Sequence, residues 1–272
     1  MEKDIALVYM VAGISSRFGG KIKQFAKVTD NETLIEYSLN QALKAGFTKI
    51  VFIVGNKTEQ PFKEMFGDNY KMIPISYCSQ KYNENERDKP WGTVDALSSI
   101  KDSINCPFVV CNGDDIYGEN TFKILSKHLK NKNSCATIGY RLGNVLPENG
   151  SVNRGIFQVK NNKVLSVKEE LGITKANLEE KILSEESLCS MNIFALYPEV
   201  INELSDILIK FKKEHKGDRK IECLLPNELN KLIEQKKIIM KIYKTPDKWF
   251  GVTNPEDEEI IKKQLESLNK KF

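Results

Sequence analysis

Histidine is nearly absent from this chain of 272 residues, with only His128 and His215. That leaves little for an imidazole-rich metal centre. The six cysteines (Cys78, Cys106, Cys111, Cys135, Cys189, Cys223) stand singly, and no pair has the two-residue spacing of a zinc or redox motif. They are expected to be reduced, buried thiols. Long apolar runs are missing too. The longest, Ile5 to Ala12, has eight residues, against roughly 20 needed to span a bilayer. Glu2, Lys3 and Asp4 precede it and a glycine loop follows, which does not suit a secretory signal. Neither sign of charge dominates, since 41 basic residues face 37 acidic ones for a net charge of +4. The lysines interleave with glutamates, as at Lys262, Lys263 and Glu266, so no nucleic-acid footprint is visible. There is no repeat, low-complexity tract or Pro/Gly/Ser linker. What remains is a chain 40% hydrophobic and 29% charged, able to bury a core. It is expected to be soluble and cytoplasmic, with no membrane and no nucleic-acid partner.

The first half alternates short apolar runs with helical patterns. Ile5–Val11, Lys49–Val54, Met72–Cys78 and Pro107–Cys111 read as strands. Residues 34–46, 58–66, 93–104 and 119–129 read as helices. Such alternation predicts an α/β fold, a mostly parallel sheet with helices on both faces. Ligands in such sheets lie beyond the carboxyl ends of the strands. The loops after Val11, Val54, Cys78 and Cys111 therefore face one edge together. In the second half Cys135–Tyr140, Gly155–Val159, Val164–Val167 and Ser190–Ala195 read as strands. Ile201–Phe211, Glu222–Ile233 and Pro255–Leu268 read as helices, and Glu148 to Arg154 as a loop. One domain over residues 1–272 is expected, with a nucleotide-binding half (1–130) and a half for the second substrate (131–272) that ends in a C-terminal helix.

Two loops concentrate chemistry. Gly13-Ile14-Ser15-Ser16-Arg17-Phe18-Gly19-Gly20 follows the first strand, with Lys21 and Lys23 beyond. Small residues let backbone N–H groups approach phosphate oxygens, and the basic side chains add positive charge. It is not a Walker A loop, because no Ser or Thr follows Lys21. An ordinary surface turn has the same composition. Asn112-Gly113-Asp114-Asp115 follows the fourth strand, where a carboxylate can hold Mg²⁺ against phosphate, although Gly-Asp-Asp is also common turn chemistry.

Ala12-Gly13-x-x-x-Arg17 followed by Lys23-Gln24 resembles the signature loop of the sugar-phosphate nucleotidyltransferases, or NDP-sugar pyrophosphorylases. These enzymes join a nucleoside triphosphate to a small phosphate on a Rossmann-like, GT-A-like sheet. The resemblance implies that Ala12, Gly13, Ser15 and Ser16 wrap the triphosphate while Arg17 and Lys23 neutralise the reacting phosphoryl groups. It singles out Asp114 as the ligand of a Mg²⁺ cofactor, with Asp115 beside it. The late run Gly251-Val252-Thr253-Asn254 is similar to the uridylyltransferase branch and makes Asn254 the second ligand. The same stretch, as Val-Thr-x-Pro-Glu-Asp, is similar to a cytidylyltransferase branch. Asn254 also suits the N-cap of the last helix, with Pro255 at its first position.

Gln80, with Gly92-Thr93 opening the next helix, looks like the pair that contacts uracil in the uridylyltransferases. Gly155, Glu169 and Asn192 follow the order of the family's sugar-contacting residues, although each alone suits a strand start, a surface charge and a turn. Trp249 and Phe250 suit a flank of the site or, by default, core packing. The resemblance implies transfer of a nucleotidyl group from a nucleoside triphosphate, with a lean toward UTP, to a sugar 1-phosphate or similar small phosphate, releasing pyrophosphate. Alternatives are a cytidylyltransferase acting on a polyol or aminoalcohol phosphate and a metal-dependent glycosyltransferase. A homo-oligomer is compatible with the sequence.

Overall fold

Continuous apolar runs become the centre of a twisted sheet in this computed structural model, which describes residues 3–13, 22–148, 150–251, 259 and 261–265. The first half runs β1 (Ala6–Met10), α1 (Leu34–Leu43), β2 (Lys49–Val54), α2 (Glu59–Phe66), β3 (Asn69–Tyr70), β4 (Ile73–Ser79), α3 (Thr93–Ser98), β5 (Phe108–Asn112), β6 (Asp115–Ile116) and α4 (Glu119–Asn131). The second half adds β7 (Cys135–Ile138), β8 (Tyr140–Arg141), β9 (Val152–Lys160), β10 (Lys163–Ile173), β11 (Leu188–Ser190) and β12 (Phe194–Leu196). After these come α5 (Pro198–Glu214), α6 (Leu225–Glu234), β13 (Met240–Tyr243) and β14 (Phe250–Gly251). The main sheet has the order β3-β4-β2-β1-β5-β12-β7-β13-β10-β9-β11-β8, and β14 pairs separately with β6.

β4, β2, β1 and β5 are mutually parallel, with Val8 of β1 in register with Val51 on one side and Val110 on the other. Strands buried on both faces need apolar residues throughout; β1 has them along its whole length and β2 has them after Lys49. Tyr9, Leu7 and Phe52 pack with Leu39 of α1, Phe62 of α2 and Phe122 of α4. Ala6, Val8 and Val51 pack on the opposite face with Leu97 of α3, Leu204 of α5 and Leu229 of α6. Burying each such large side chain stabilises the fold by about 1.5–3 kcal/mol. The expected α/β architecture is therefore present. All six cysteines are buried and free, and no helix among the described residues is long and apolar enough to cross a membrane.

Several expected boundaries move. Four strands run against the rest, β12 near the centre of the sheet and β3, β10 and β11 toward its edges. The stretch Cys135–Tyr140 splits at Gly139, where an added Cβ would lie 2.8 Å from Ile242 Cδ1. Ser190–Ala195 splits at Asn192 (φ +55°) into β11 and β12. Val152 to Arg154, read as loop, starts β9, and β9 and β10 are each longer than their apolar cores suggested. α3 ends at Ser98 instead of Ile104, and the next hydroxyl, Ser99, donates to the Ala96 carbonyl at 2.7 Å. The final helix is described only at residues 259 and 261–265.

Candidate active site

The parallel strands deliver their carboxyl ends to one edge, and two cavities open there. The first, about 450 Å³, is lined by Lys23, Thr93, Asp114, Asp115, Gly155, Glu169 and Asn192 among others. The second, about 650 Å³, is lined by Ala12, Gly13 and Gln80, together with Tyr82 and Arg87. Every predicted site residue that is described, except Gly92, thus lines one cavity or the other. Ser15, Ser16, Arg17 and Asn254 lie outside the described residues.

Lys23 opens a short 3-10 turn (Lys23–Phe25), and its Nζ donates to Asp114 Oδ2 at 2.7 Å. Asp114 is held at the end of β5 by a tight turn. At Gly113 an added Cβ would lie 2.2 Å from Val11 Cγ1, so only glycine fits. The pair is partly open, the side chains being 14% and 30% exposed, so it adds little stability by itself. It does place a cation and a carboxylate at the mouth of one cavity.

Asp115 is nearly buried and takes part in the β6–β14 pairing opposite Gly251. Its Oδ2 accepts from Asn112 Nδ2 at 2.9 Å and from the Tyr117 hydroxyl at 3.1 Å. Burial, with the charge of Asp114 second, pushes its carboxyl up to about 7. Two neighbouring hard-oxygen groups of this kind suit Mg²⁺, which takes one or two carboxylates and completes its shell with water and substrate phosphates. Among the described residues no group of three or more His, Cys, Asp or Glu side chains could hold a metal, and a Mg²⁺ site of this type does not require one.

The far wall of the same cavity comes from the second half. Gly155 of β9 pairs with Glu169 of β10 and with Ser190 of β11. Asn192 occupies the left-handed turn that carries the chain from β11 at one side of the sheet to β12 at its centre. Three more residues line this cavity, Asn112, Arg154 and Trp249. Arg154 holds its guanidinium 5.4 Å from the centroid of Trp249, and burial lowers its pKa. Arg154 Nε and Trp249 Nε1 are both buried without a hydrogen-bond partner among the described residues. Asn112, quoted in the Asn-Gly-Asp-Asp run, lines the cavity beside the aspartates.

Gly92 packs closely against neighbouring backbone. Its φ is +99° and an added Cβ would lie 2.5 Å from the Cys223 carbonyl oxygen, so the glycine admits the neighbouring backbone. Its own carbonyl accepts from Gln80 Nε2 at 3.0 Å. Thr93 Oγ1 accepts from the Leu225 N–H at 2.7 Å, joining α3 to the start of α6.

Comparison with known proteins places this geometry. A glucose-1-phosphate uridylyltransferase using UTP, AglF of Haloferax volcanii, is 24% identical over 107 residues, or 39% of this chain and 41% of that protein. The chain thus matches less than half the length of that relative. A structure from Bacillus anthracis assigned as a glucose-1-phosphate thymidylyltransferase, in complex with sucrose, superposes with a TM-score of 0.69 at 14% identity, covering 96% of this chain and 94% of that one. A UDP-glucose pyrophosphorylase complexed with UDP-glucose gives 0.67 at 16% identity, covering 97% and 99%. The inositol-1-phosphate CTP transferase of T. maritima gives 0.67 at 14% identity, covering 97% and 96%. At such identities these structures show a shared fold. The family model for nucleotidyl transferases matches residues 19–257, nearly the whole chain, and the protein belongs to that family of enzymes.

Proposed function

We propose that this nucleotidyltransferase joins the nucleotidyl group of a nucleoside triphosphate, UTP by preference, to the phosphate of a sugar 1-phosphate or similarly small phosphate. The observation that supports this most directly is the 2.7 Å contact of Lys23 with Asp114 at the edge where both cavities open. In the reaction an acceptor phosphate oxygen forms a bond to the α-phosphorus while the bond from that phosphorus to the bridging oxygen breaks, and pyrophosphate leaves. The attacking oxygen is already ionised at neutral pH, so no general base is needed, in keeping with a site that contains no histidine.

Lys23 would neutralise phosphoryl charge as it builds, and Arg17 has the same role by resemblance. Asp114, with Asn254 by resemblance, would hold Mg²⁺. The ion would supply charge neutralisation and alignment of the phosphate oxygens. Ala12, Gly13, Ser15 and Ser16 would wrap the triphosphate, and Gln80 would meet the base. Gly92 and Thr93 would support that wall through the contacts described above. In the smaller cavity Glu169, Asn192, Asp115 and the open backbone at Gly155 would receive the hydroxyl-rich acceptor.

A pyrophosphate-release screen tests this, crossing four nucleoside triphosphates with sugar 1-phosphates, polyol phosphates and aminoalcohol phosphates in the presence of Mg²⁺. The strongest signal is expected with UTP and a sugar 1-phosphate. Silence in every well would overturn the reading. Release of a nucleoside diphosphate from a nucleotide sugar and an acceptor would replace it with glycosyl transfer.

A further inference from the structure

Arg154 on β9 brings a guanidinium to the wall of the smaller cavity that the second half supplies. The protein gives it no counter-ion among the described residues. Nη1 donates to the Asn153 carbonyl at 3.1 Å, Nε is buried without an acceptor, and Nη2 has none. The acids around it are committed elsewhere. Glu170 faces Arg154 across the β9–β10 pairing, but its Oε1 accepts from Lys181 Nζ at 2.7 Å. Asp115 accepts from Asn112 and Tyr117. Glu169 is paired with Gly155, the next residue of β9, and successive strand residues point to opposite faces.

Arginine does not shed its proton in a folded protein, and a partly buried cation without an anion is costly. Trp249 holds the group in place from 5.4 Å. The indole Nε1 is itself buried with no acceptor. Unmet donors are rare in a folded interior. Gathered with an unpaired charge in one cavity wall, they mark a place where a ligand supplies the anion.

We propose that Arg154 receives a second acidic group of the acceptor, so that the substrate is a small phosphate which also carries a carboxylate or another phosphate. This rests on the smaller cavity being the seat of the acceptor. The phosphate that reacts has its partners on the other wall, where Lys23 meets Asp114 at 2.7 Å. Arg154 stands across from them and meets the far end of the molecule. A planar guanidinium suits a carboxylate or phosphate there, since its N–H donors match two oxygens at once. A far end carrying only hydroxyl groups would cover the cation and leave it unpaired, which costs affinity.

The test is pyrophosphate release with Mg²⁺ and the nucleoside triphosphate that gives the strongest signal, using acceptors that differ at one end alone. Glucose 1-phosphate is set against glucuronic acid 1-phosphate and glucose 1,6-bisphosphate, and glycerol 3-phosphate against 3-phosphoglycerate. In at least one set the wild type is expected to favour an acidic member by about tenfold or more in kcat/KM, chiefly through KM. Which acidic member leads tells carboxylate from phosphate. Arg154→Gln should bring that ratio within about twofold by raising KM for the acidic member. Arg154→Lys keeps the charge without the fork and should fall between, and it supplies the comparison if Arg154→Gln does not fold. Turnover confined to phosphates with no second acidic group, or equal use of neutral and acidic members, would overturn the proposal while leaving the nucleotidyl transfer in place. So would a loss in Arg154→Gln shared equally by both kinds of acceptor, because the guanidinium would then hold the reacting phosphate or only the fold. Silence with every acceptor and every triphosphate would remove the acceptor seat, and with it the proposed function.

Discussion

Lys23 and Asp114 neutralise each other across 2.7 Å, and a triphosphate with its cation would give each a new partner. Lys23 would turn to phosphate and Asp114 to the metal. Neither residue lies deep enough to contribute much to stability, so their removal should register in turnover. Lys23→Ala and Asp114→Ala are each expected to lower kcat by about 10²- to 10³-fold, the usual loss for an electrostatic stabiliser, with melting temperatures close to the wild type. Steady-state pyrophosphate release beside a thermal melt separates the two effects. Near-normal kcat in either variant would take that residue out of the mechanism. These residues can be read from sequence because a glycine turn after an apolar strand fixes where they emerge. Arg154 could not be found that way, because what sets its place in the cavity is Trp249, a partner that only tertiary folding brings near.

At the scale of elements, legibility follows burial. Apart from Lys49 at the start of β2, β1 and β2 are apolar throughout because helices cover both faces, so the run itself marks the strand. β9 and β10 extend past their apolar centres because Asn153, Gly155 and Glu169 line an open cavity, and such positions have no reason to be hydrophobic. The β3–β4 hairpin turns on Lys71 and Met72, both at positive φ, where glycine or asparagine usually announces the bend. Asn161 and Asn162 do announce theirs. His128 illustrates an element held by one side chain. Nε2–H donates to the Ser134 carbonyl at 2.6 Å, and Nδ1 accepts from the Tyr243 hydroxyl at 3.0 Å, tying α4 to β13. This arrangement fits the neutral ring, and burial holds its pKa below the ordinary imidazole value. The unfolded chain gains a proton near pH 6.5 that the folded chain resists. The stability from this residue is therefore full above that pH and declines as pH falls toward the folded pKa. Urea melts at pH 7.5 and 5.5 should show a smaller acid loss in His128→Gln than in the wild type, and equal losses would contradict the assignment.

Across the whole molecule the sheet is continuous, but the segment from Gln80 to Trp91, which walls the larger cavity, must be held to the second half by other means. Surface ion pairs contribute. Asp88 meets Arg219 at 2.7 Å and Lys89 meets Glu222, all with substantially exposed side chains, a class worth at most about 1 kcal/mol each. Arg87 is different. It is 3% exposed and lies 3.6 Å from the centroid of Trp91. It donates to the carbonyls of Lys89 at 3.0 Å, Asp218 at 2.5 Å and Ile221 at 2.5 Å. Arg87→Ala would leave three carbonyls without a partner and remove the ring contact, so a loss on the order of 3 kcal/mol is expected. Arg87→Lys should recover little of it, because one ammonium cannot reproduce the planar fork of donors. Urea denaturation of the three proteins measures this directly. Because the same segment forms the cavity wall, both variants should also bind UTP more weakly at temperatures where they remain folded. A variant within 0.5 kcal/mol of the wild type would mean that the exposed ion pairs, with the backbone bonds from Asp88 N–H to the Arg219 carbonyl and from Cys223 N–H to the Trp91 carbonyl, suffice and that Arg87 is not what joins the cavity wall to the second half.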